Sequence, residues 1–122
     1  MIKTLIVEDN ATFCQTVKDG LQRRFPTMVI EDVGDGNEVL KKVDVFRPHL
    51  IFMDIRLPGK NGLQLTREIK TSYPDTIIIV MTSYNLPEYR DAALKYGAHR
   101  FIPKDALSLE EIESLVKPLP LD

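Results

Sequence analysis

Cysteine is nearly absent from this chain, and so is any strong excess of one charge. The 122 residues include a single cysteine, Cys14, which excludes an intramolecular disulfide and a thiol-based metal cluster within one chain. Cys14 falls among apolar positions of helical period and reads as a buried, inert thiol, because the adjoining sequence supplies no basic neighbourhood to activate it. With 16 Lys and Arg against 18 Asp and Glu, the formal net charge is −2, which argues against nucleic-acid binding by bulk electrostatics. No apolar run approaches the length that spans a bilayer. The run that follows Lys3 is broken by Glu8 and Asp9 too early for a signal-peptide core. Repeats, low-complexity stretches and internal linkers are missing as well. What remains is enough chain for about one domain, able to bury roughly two-thirds of its unfolded surface. The expectation is a soluble, cytoplasmic protein.

Apolar runs rich in β-branched residues alternate with helix-like stretches along the whole sequence. Lys3 to Val7 reads as a strand, followed by a helix opening near Asn10 with Phe13, Val17 and Leu21 on one face, stopped by Pro26. Met28 to Val33 reads as a second strand, leading through Gly34, Asp35 and Gly36 into a helix with Val39, Val43 and Phe46 inward, ended by Pro48. The run Leu50 to Met53 closes on Asp54, and a helix opens near Asn61 and Gly62 with Leu65 and Ile69 inward. Ile77 to Met81 ends in Thr82 and Ser83; the next helix is expected to start with Asn85 as N-cap, Pro87 in the first turn and Glu88 at the capping-box position, and to end at Gly97. Arg100 to Pro103 leads to Lys104, and Ser108 with Glu111 forms a capping box for a last helix that Pro118 terminates. Such alternation predicts βαβ crossovers and a parallel sheet with helices on both faces. Runs like Ile77 to Met81, apolar throughout, suit central strands covered on both sides.

The strand ends carry the chemistry. Open α/β folds place their sites at the carboxyl edge of the sheet, and this chain brings Glu8 and Asp9, then Asp54, then Thr82, then Lys104 to that edge. Two carboxylates about 4 Å apart repel by roughly 4 kcal/mol at an effective dielectric near 20. A cluster of that kind persists when a cation offsets it, and all-oxygen donors favour Mg²⁺ over zinc or copper. Any one acid alone reads equally well as a helix cap or a dipole partner of a first turn. Three acids at neighbouring strand ends, with a hydroxyl and an ammonium at two others, outline a site for metal and phosphoryl chemistry.

With these motifs the chain resembles the receiver domains of two-component response regulators. The resemblance rests on Val7-Glu8-Asp9-Asn10, on Met53-Asp54-Ile55-Arg56-Leu57-Pro58-Gly59 with Gly62 beyond, on Thr82-Ser83, and on Phe101-Ile102-Pro103-Lys104. It implies a flavodoxin-like (βα)5 three-layer sandwich with a five-stranded parallel sheet of order 2-1-3-4-5, spanning residues 1–117, with 118–122 as a tail or the start of an inter-domain linker. It implies that Asp54 is the phosphoacceptor for a histidine kinase or phosphotransfer protein. Mg²⁺ would be held by Asp9, Asp54, the Arg56 carbonyl and, through water, Glu8. Thr82 and Lys104 would bind phosphoryl oxygens, and Phe101 would be the switch aromatic coupled to Thr82. Arg56 and Tyr84 would flank the path of the hydrolytic water and set the dephosphorylation rate. The resemblance further implies a signalling domain, not an enzyme, that catalyses only its own Mg²⁺-dependent phosphorylation and dephosphorylation. Its partner face would be the fourth helix, fifth strand and fifth helix, open to an output domain, a partner protein or a homodimer.

One departure is local. Many receivers place proline directly after the lysine, whereas here Pro103 precedes Lys104, as in receivers joined to LuxR-type helix-turn-helix outputs, and the isomer of the Ile102–Pro103 bond is open. Rival classes fit less well. A haloacid-dehalogenase-like phosphatase needs an acid two residues after its aspartate nucleophile, where this chain has Arg56. A flavodoxin-like FMN carrier needs a hydroxyl- and glycine-rich phosphate loop where this chain has Glu8 and Asp9. A degenerate receiver that acts as a phosphorylation-independent interaction module is the remaining alternative, and the full set Asp9, Asp54, Thr82 and Lys104 speaks against it.

Overall fold

A computed structural model describes residues 1–119 of the chain, so the tail expected over 118–122 lies, from residue 120 on, outside the described residues. Strands and helices alternate as β1 (Lys3–Val7), α1 (Ala11–Arg24), β2 (Val29–Val33), α2 (Val39–Phe46), β3 (Leu50–Asp54), α3 (Gly62–Ser72), β4 (Ile77–Thr82), α4 (Pro87–Lys95), β5 (Arg100–Pro103) and α5 (Leu109–Val116). Short 3-10 turns, Gly36–Glu38 and Lys104–Ala106, stand before α2 and after β5. All strands pair in parallel in the order β2-β1-β3-β4-β5. This is the flavodoxin-like three-layer sandwich that the motifs led us to expect. No helix among the described residues is long and apolar enough to cross a membrane.

The period of two along the central strands explains the layers. Leu5, Val7, Ile51, Met53, Ile78 and Val80 point to one face, where Val39, Val43, Leu65, Ile69 and Ala93 of α2, α3 and α4 cover them. Ile6, Phe52, Ile79 and Met81 point to the other, against Cys14, Val17 and Leu21 of α1 and Ile112, Leu115 and Val116 of α5. Residues 50–54 of β3 are all buried, whereas β2, at the sheet edge, is mostly half-exposed. Cys14 is buried and free, and its burial pushes the thiol pKa up, as an inert thiol requires.

Local side-chain chemistry caps the starts of α1, α3 and α5 but not those of α2 and α4. Asn10, Asn61 and Ser108 accept hydrogen bonds from the backbone N–H groups of Phe13, Gln64 and Glu111 at 3.0, 2.9 and 3.1 Å. The N-cap expected at Asn85 is not formed: Leu86 is the capping residue of α4, no side chain caps it, and Pro87 is the first helical residue. The reason is the preceding turn, in which the Tyr84 N–H donates to Thr82 Oγ1 at 2.8 Å and the Leu86 N–H to the Tyr84 carbonyl at 2.9 Å. This carries Asn85 out of capping position. Gly97, at φ +104°, follows the end of α4 as expected, and the Ile102–Pro103 bond is trans.

The sheet order makes β1 and β3 neighbours whose connections leave in opposite directions, which opens a crevice above their carboxyl ends. The loop after β3 is pulled down over that edge. The Gly36 N–H donates to the Pro58 carbonyl and the Gly62 N–H to the Ile55 carbonyl, both at 2.8 Å. Gly62 is required by contact: a Cβ built there would sit 1.9 Å from the Asp54 carbonyl oxygen. Gly62→Ala should therefore shift the end of β3 and cost about 1–3 kcal/mol, the usual scale of overpacking. Urea denaturation should show a lower midpoint at unchanged slope, and a midpoint equal to the parent's would mean that the loop yields freely.

Candidate functional site

Three strands deliver acids and their counter-charge to one spot. Glu8 follows β1 directly, its N–H bonded to the Val33 carbonyl at 3.0 Å. Its side chain is fully buried beneath the start of α1, where Oε2 accepts from the Asn10 N–H at 3.0 Å. Asp54 is the last residue of β3 and 3% exposed, while Asp9 is exposed to solvent. Carboxylate oxygens of Glu8, Asp9 and Asp54 all lie within 4.8 Å of one another.

Lys104, from the end of β5, is the counter-charge. Its ammonium lies 2.6 Å from Glu8 Oε1 and 3.3 Å from Asp54 Oδ2. The approach to Oε1 is close but off the hydrogen-bond direction, so this buried oxygen is ion-paired while receiving no hydrogen bond. Burial pushes the Asp54 carboxyl from its ordinary 3.8 up to about 6; the Glu8 charge adds to the rise and Lys104 opposes it.

A Mg²⁺ ion fits this donor set. The donors are oxygens from a hard, anionic cluster, one of them is a buried carboxylate oxygen lacking a hydrogen bond, and the exposed side at Asp9 leaves room for the waters that Mg²⁺ keeps.

Thr82 ends β4 and is 1% exposed. Its hydroxyl accepts from the Tyr84 N–H at 2.8 Å and donates to the Tyr84 carbonyl at 3.2 Å. Phe101, paired with Val80 across the sheet, packs half-buried against the core under α2, α3 and α4. Arg56 and Tyr84 meet at the rim: the guanidinium stacks 4.2 Å from the centroid of the tyrosine ring and donates to the Tyr89 hydroxyl at 3.4 Å. Sequence reading missed Tyr89 as a rim partner, and it missed Phe13, whose ring lies beneath Lys104. Both read as ordinary helix residues, and no spacing pattern marks them. A cleft of about 550 Å³ between α2 and α3 carries none of these groups. A smaller one of about 340 Å³ is lined by Thr82, Ser83, Asn85, Pro103, Lys104 and Asp105 and opens beside them.

Comparison with known proteins agrees with this arrangement. The sequence profile of the response regulator receiver domain matches residues 4–117. A transcriptional regulatory protein of Bacillus subtilis, YhcZ, is 33% identical over 120 residues, covering 95% of this chain and 52% of that protein. A protein-glutamate methylesterase/protein-glutamine glutaminase of Pyrococcus horikoshii is 35% identical over 111 residues, covering 88% of this chain and 30% of that one. Among solved structures, a response regulator of Burkholderia pseudomallei with a phosphorylated aspartic acid, a calcium ion and citrate superposes with TM-score 0.83 at 27% identity, covering 93% of this chain and 65% of that one. The chain thus spans about half or less of the length of the curated relatives it matches. It belongs to the response regulator receiver domain family of two-component systems, in which phosphoryl acceptance and Mg²⁺ dependence are general.

The buried carboxylate makes a pH dependence measurable. In metal-free buffer Asp54 holds its proton more tightly when folded, near pH 6, than when unfolded, near 3.8. Its contribution to stability is therefore full below about pH 4 and is lost as pH rises through 6. The whole rise corresponds to roughly 3 kcal/mol. Asp54→Asn lacks this loss, so the stability of the variant relative to the parent should grow between pH 4 and pH 7. Parallel denaturation curves at each pH check it, and a constant gap would contradict the burial argument.

Proposed function

We propose that this chain accepts a phosphoryl group on Asp54 from a histidine kinase or phosphotransfer protein and uses it to switch a protein-interaction surface. The observation that carries this reading is the placement of Asp54, almost wholly buried at a strand end, between Glu8 and the Lys104 ammonium. Asp54 Oδ forms a bond to phosphorus as the bond from phosphorus to the donor's imidazole nitrogen breaks, and the imidazole leaves with the electron pair. The transition state is loose and in-line, so catalysis is mostly positioning and charge neutralisation. Asp9, Asp54, the Arg56 carbonyl and, through water, Glu8 would hold a Mg²⁺ ion, which would supply positive charge against the phosphoryl oxygens. Lys104 turns from the carboxylates to another of those oxygens.

Thr82 then carries the signal outward. Its hydroxyl now donates to the Tyr84 carbonyl; transferred to a phosphoryl oxygen, it draws the end of β4 inward and opens space into which the Phe101 ring swings. The shift alters the face of α4, β5 and α5, where an output domain, a partner protein or a second copy would dock. A two-state change of this kind needs only a few kcal/mol of differential stabilisation. On this reading residues 1–117 are the receiver and 118–122 a tail or the start of an inter-domain linker, in a cytoplasmic protein where a phosphohistidine donor can reach it. Its only catalysis acts on its own phosphorylation state.

Acetyl phosphate with Mg²⁺ should add one phosphoryl group to the intact mass. Asp54→Asn should show no gain, and removing Mg²⁺ or changing Asp9→Ala should slow uptake severely. Normal uptake by Asp54→Asn would overturn the assignment of Asp54 as phosphoacceptor, and no uptake by the parent would favour an interaction module that works without phosphorylation.

Hydrolysis of the acyl phosphate needs an in-line water, and neither Arg56 nor Tyr84 is a good base for it at neutral pH. The two side chains touch across the rim, so together they shield the bond. Self-dephosphorylation should be slow, and Arg56→Asn with Tyr84→Glu should speed it by opening the rim and offering a polar group to the water. Phosphoryl loss over time in Mg²⁺ measures this; equal decay in both proteins would remove the shielding role and leave the Asp54 assignment standing.

A further inference from the structure

Lys104 is held on a third side by a group that carries no charge. Its ammonium lies 4.9 Å from the centroid of the Phe13 ring, with Glu8 Oε1 at 2.6 Å and Asp54 Oδ2 at 3.3 Å. Phe13 sits in the first turn of α1, where its N–H bonds to the capping Asn10 Oδ1 at 3.0 Å. Its half-buried ring packs against the core shared by α1 and α5. The segment after β1 thus brings both a carboxylate and an aromatic face to one cation.

The two kinds of contact behave differently during the reaction. With Asp54 converted to the acyl phosphate and Glu8 turned toward a metal, both carboxylates would weaken as partners for the ammonium. A ring face attracts a cation through its fixed quadrupole and has nothing to exchange. The lysine stem is long and flexible, so an ammonium released by both acids would otherwise spread over many rotamers. We infer that Phe13 is a positioning residue: its ring keeps the Lys104 ammonium at the phosphoryl oxygen after the carboxylates let go. This rests on the reading of Asp54 as phosphoacceptor and Lys104 as phosphoryl partner.

Beryllofluoride, a mimic of the phosphoryl group on a carboxylate, tests it in the full chain. Titrated with saturating Mg²⁺, Phe13→Leu should bind beryllofluoride about three- to tenfold more weakly, the scale of one partly buried cation–π contact. Leucine keeps the apolar packing, and circular dichroism checks the fold. Calorimetry without beryllofluoride should find Mg²⁺ affinity unchanged, and Phe13→Tyr, which keeps the ring face, should bind beryllofluoride like the parent. In a Lys104→Ala background the change Phe13→Leu should have no further effect, since the cation it serves is gone. Parent-like binding by Phe13→Leu, failure of Phe13→Tyr to restore binding, or an undiminished loss in the Lys104→Ala background would each overturn the role of Phe13 alone. If beryllofluoride fails to bind the parent and Asp54→Asn takes up phosphate normally, the phosphoacceptor reading itself falls, and the Phe13 role with it.

Discussion

Carboxylates that would separate in water are kept together here by a sheet that cannot spread. Glu8, Asp9 and Asp54 hold oxygens within 4.8 Å of one another, and each pair repels by an amount on the order of 4 kcal/mol in a partly screened setting. The strands beneath them resist that repulsion. Leu5, Ile6 and Val7 of β1 and Leu50 to Met53 of β3 are wholly removed from solvent, so neither strand end can retreat without opening a core. Lys104, reaching back from β5, offsets part of the repulsion, and the close approach at Gly62 fixes the backbone of Asp54 from above. Burial, counter-charge and loop packing therefore all serve one crowded set of oxygens, a donor set of the kind that suits a small hard cation.

The fold was largely legible because its signals are local. Apolar runs of strand length, helical stripes such as Phe13, Val17 and Leu21, and caps such as Asn10, Asn61 and Ser108 act through neighbours in sequence. The acids were legible for a related reason. A residue that closes an apolar parallel strand must emerge at the carboxyl edge, so reading the strands located Asp54, Glu8 and Thr82 without any tertiary information.

What escaped depends on contacts between loops. Asn85 has the right chemistry for a cap, but the hydrogen bonds of the Thr82–Tyr84 turn decide where α4 begins, and that places Leu86 at its start. Tyr89 meets Arg56 only because the loop after β3 faces the first turn of α4. Phe13 lies under Lys104 because α1 begins at the carboxyl edge of the sheet where β5 ends, although the two residues are far apart in sequence. The pairing of the buried Glu8 oxygen with the Lys104 ammonium is of the same kind: carboxylate chemistry is visible in a sequence, but the partner brought to it from a distant strand is not.

The start of α4 bears on how stiffness is distributed through the molecule. α2 and α5 each bury three residues in eight, and α5 has a side-chain cap. α4 runs nine residues, buries only Ala93, begins without a side-chain cap, and leaves Leu86 and Leu94 more than 40% exposed. Few contacts would be lost if this helix slid or turned, whereas β1 and β3 could not move without opening a core. The domain is thus mechanically graded, with a rigid anvil beneath the acids and a loosely seated lever beside them. Burial, and with it resistance to displacement, falls from β1 and β3 to α4.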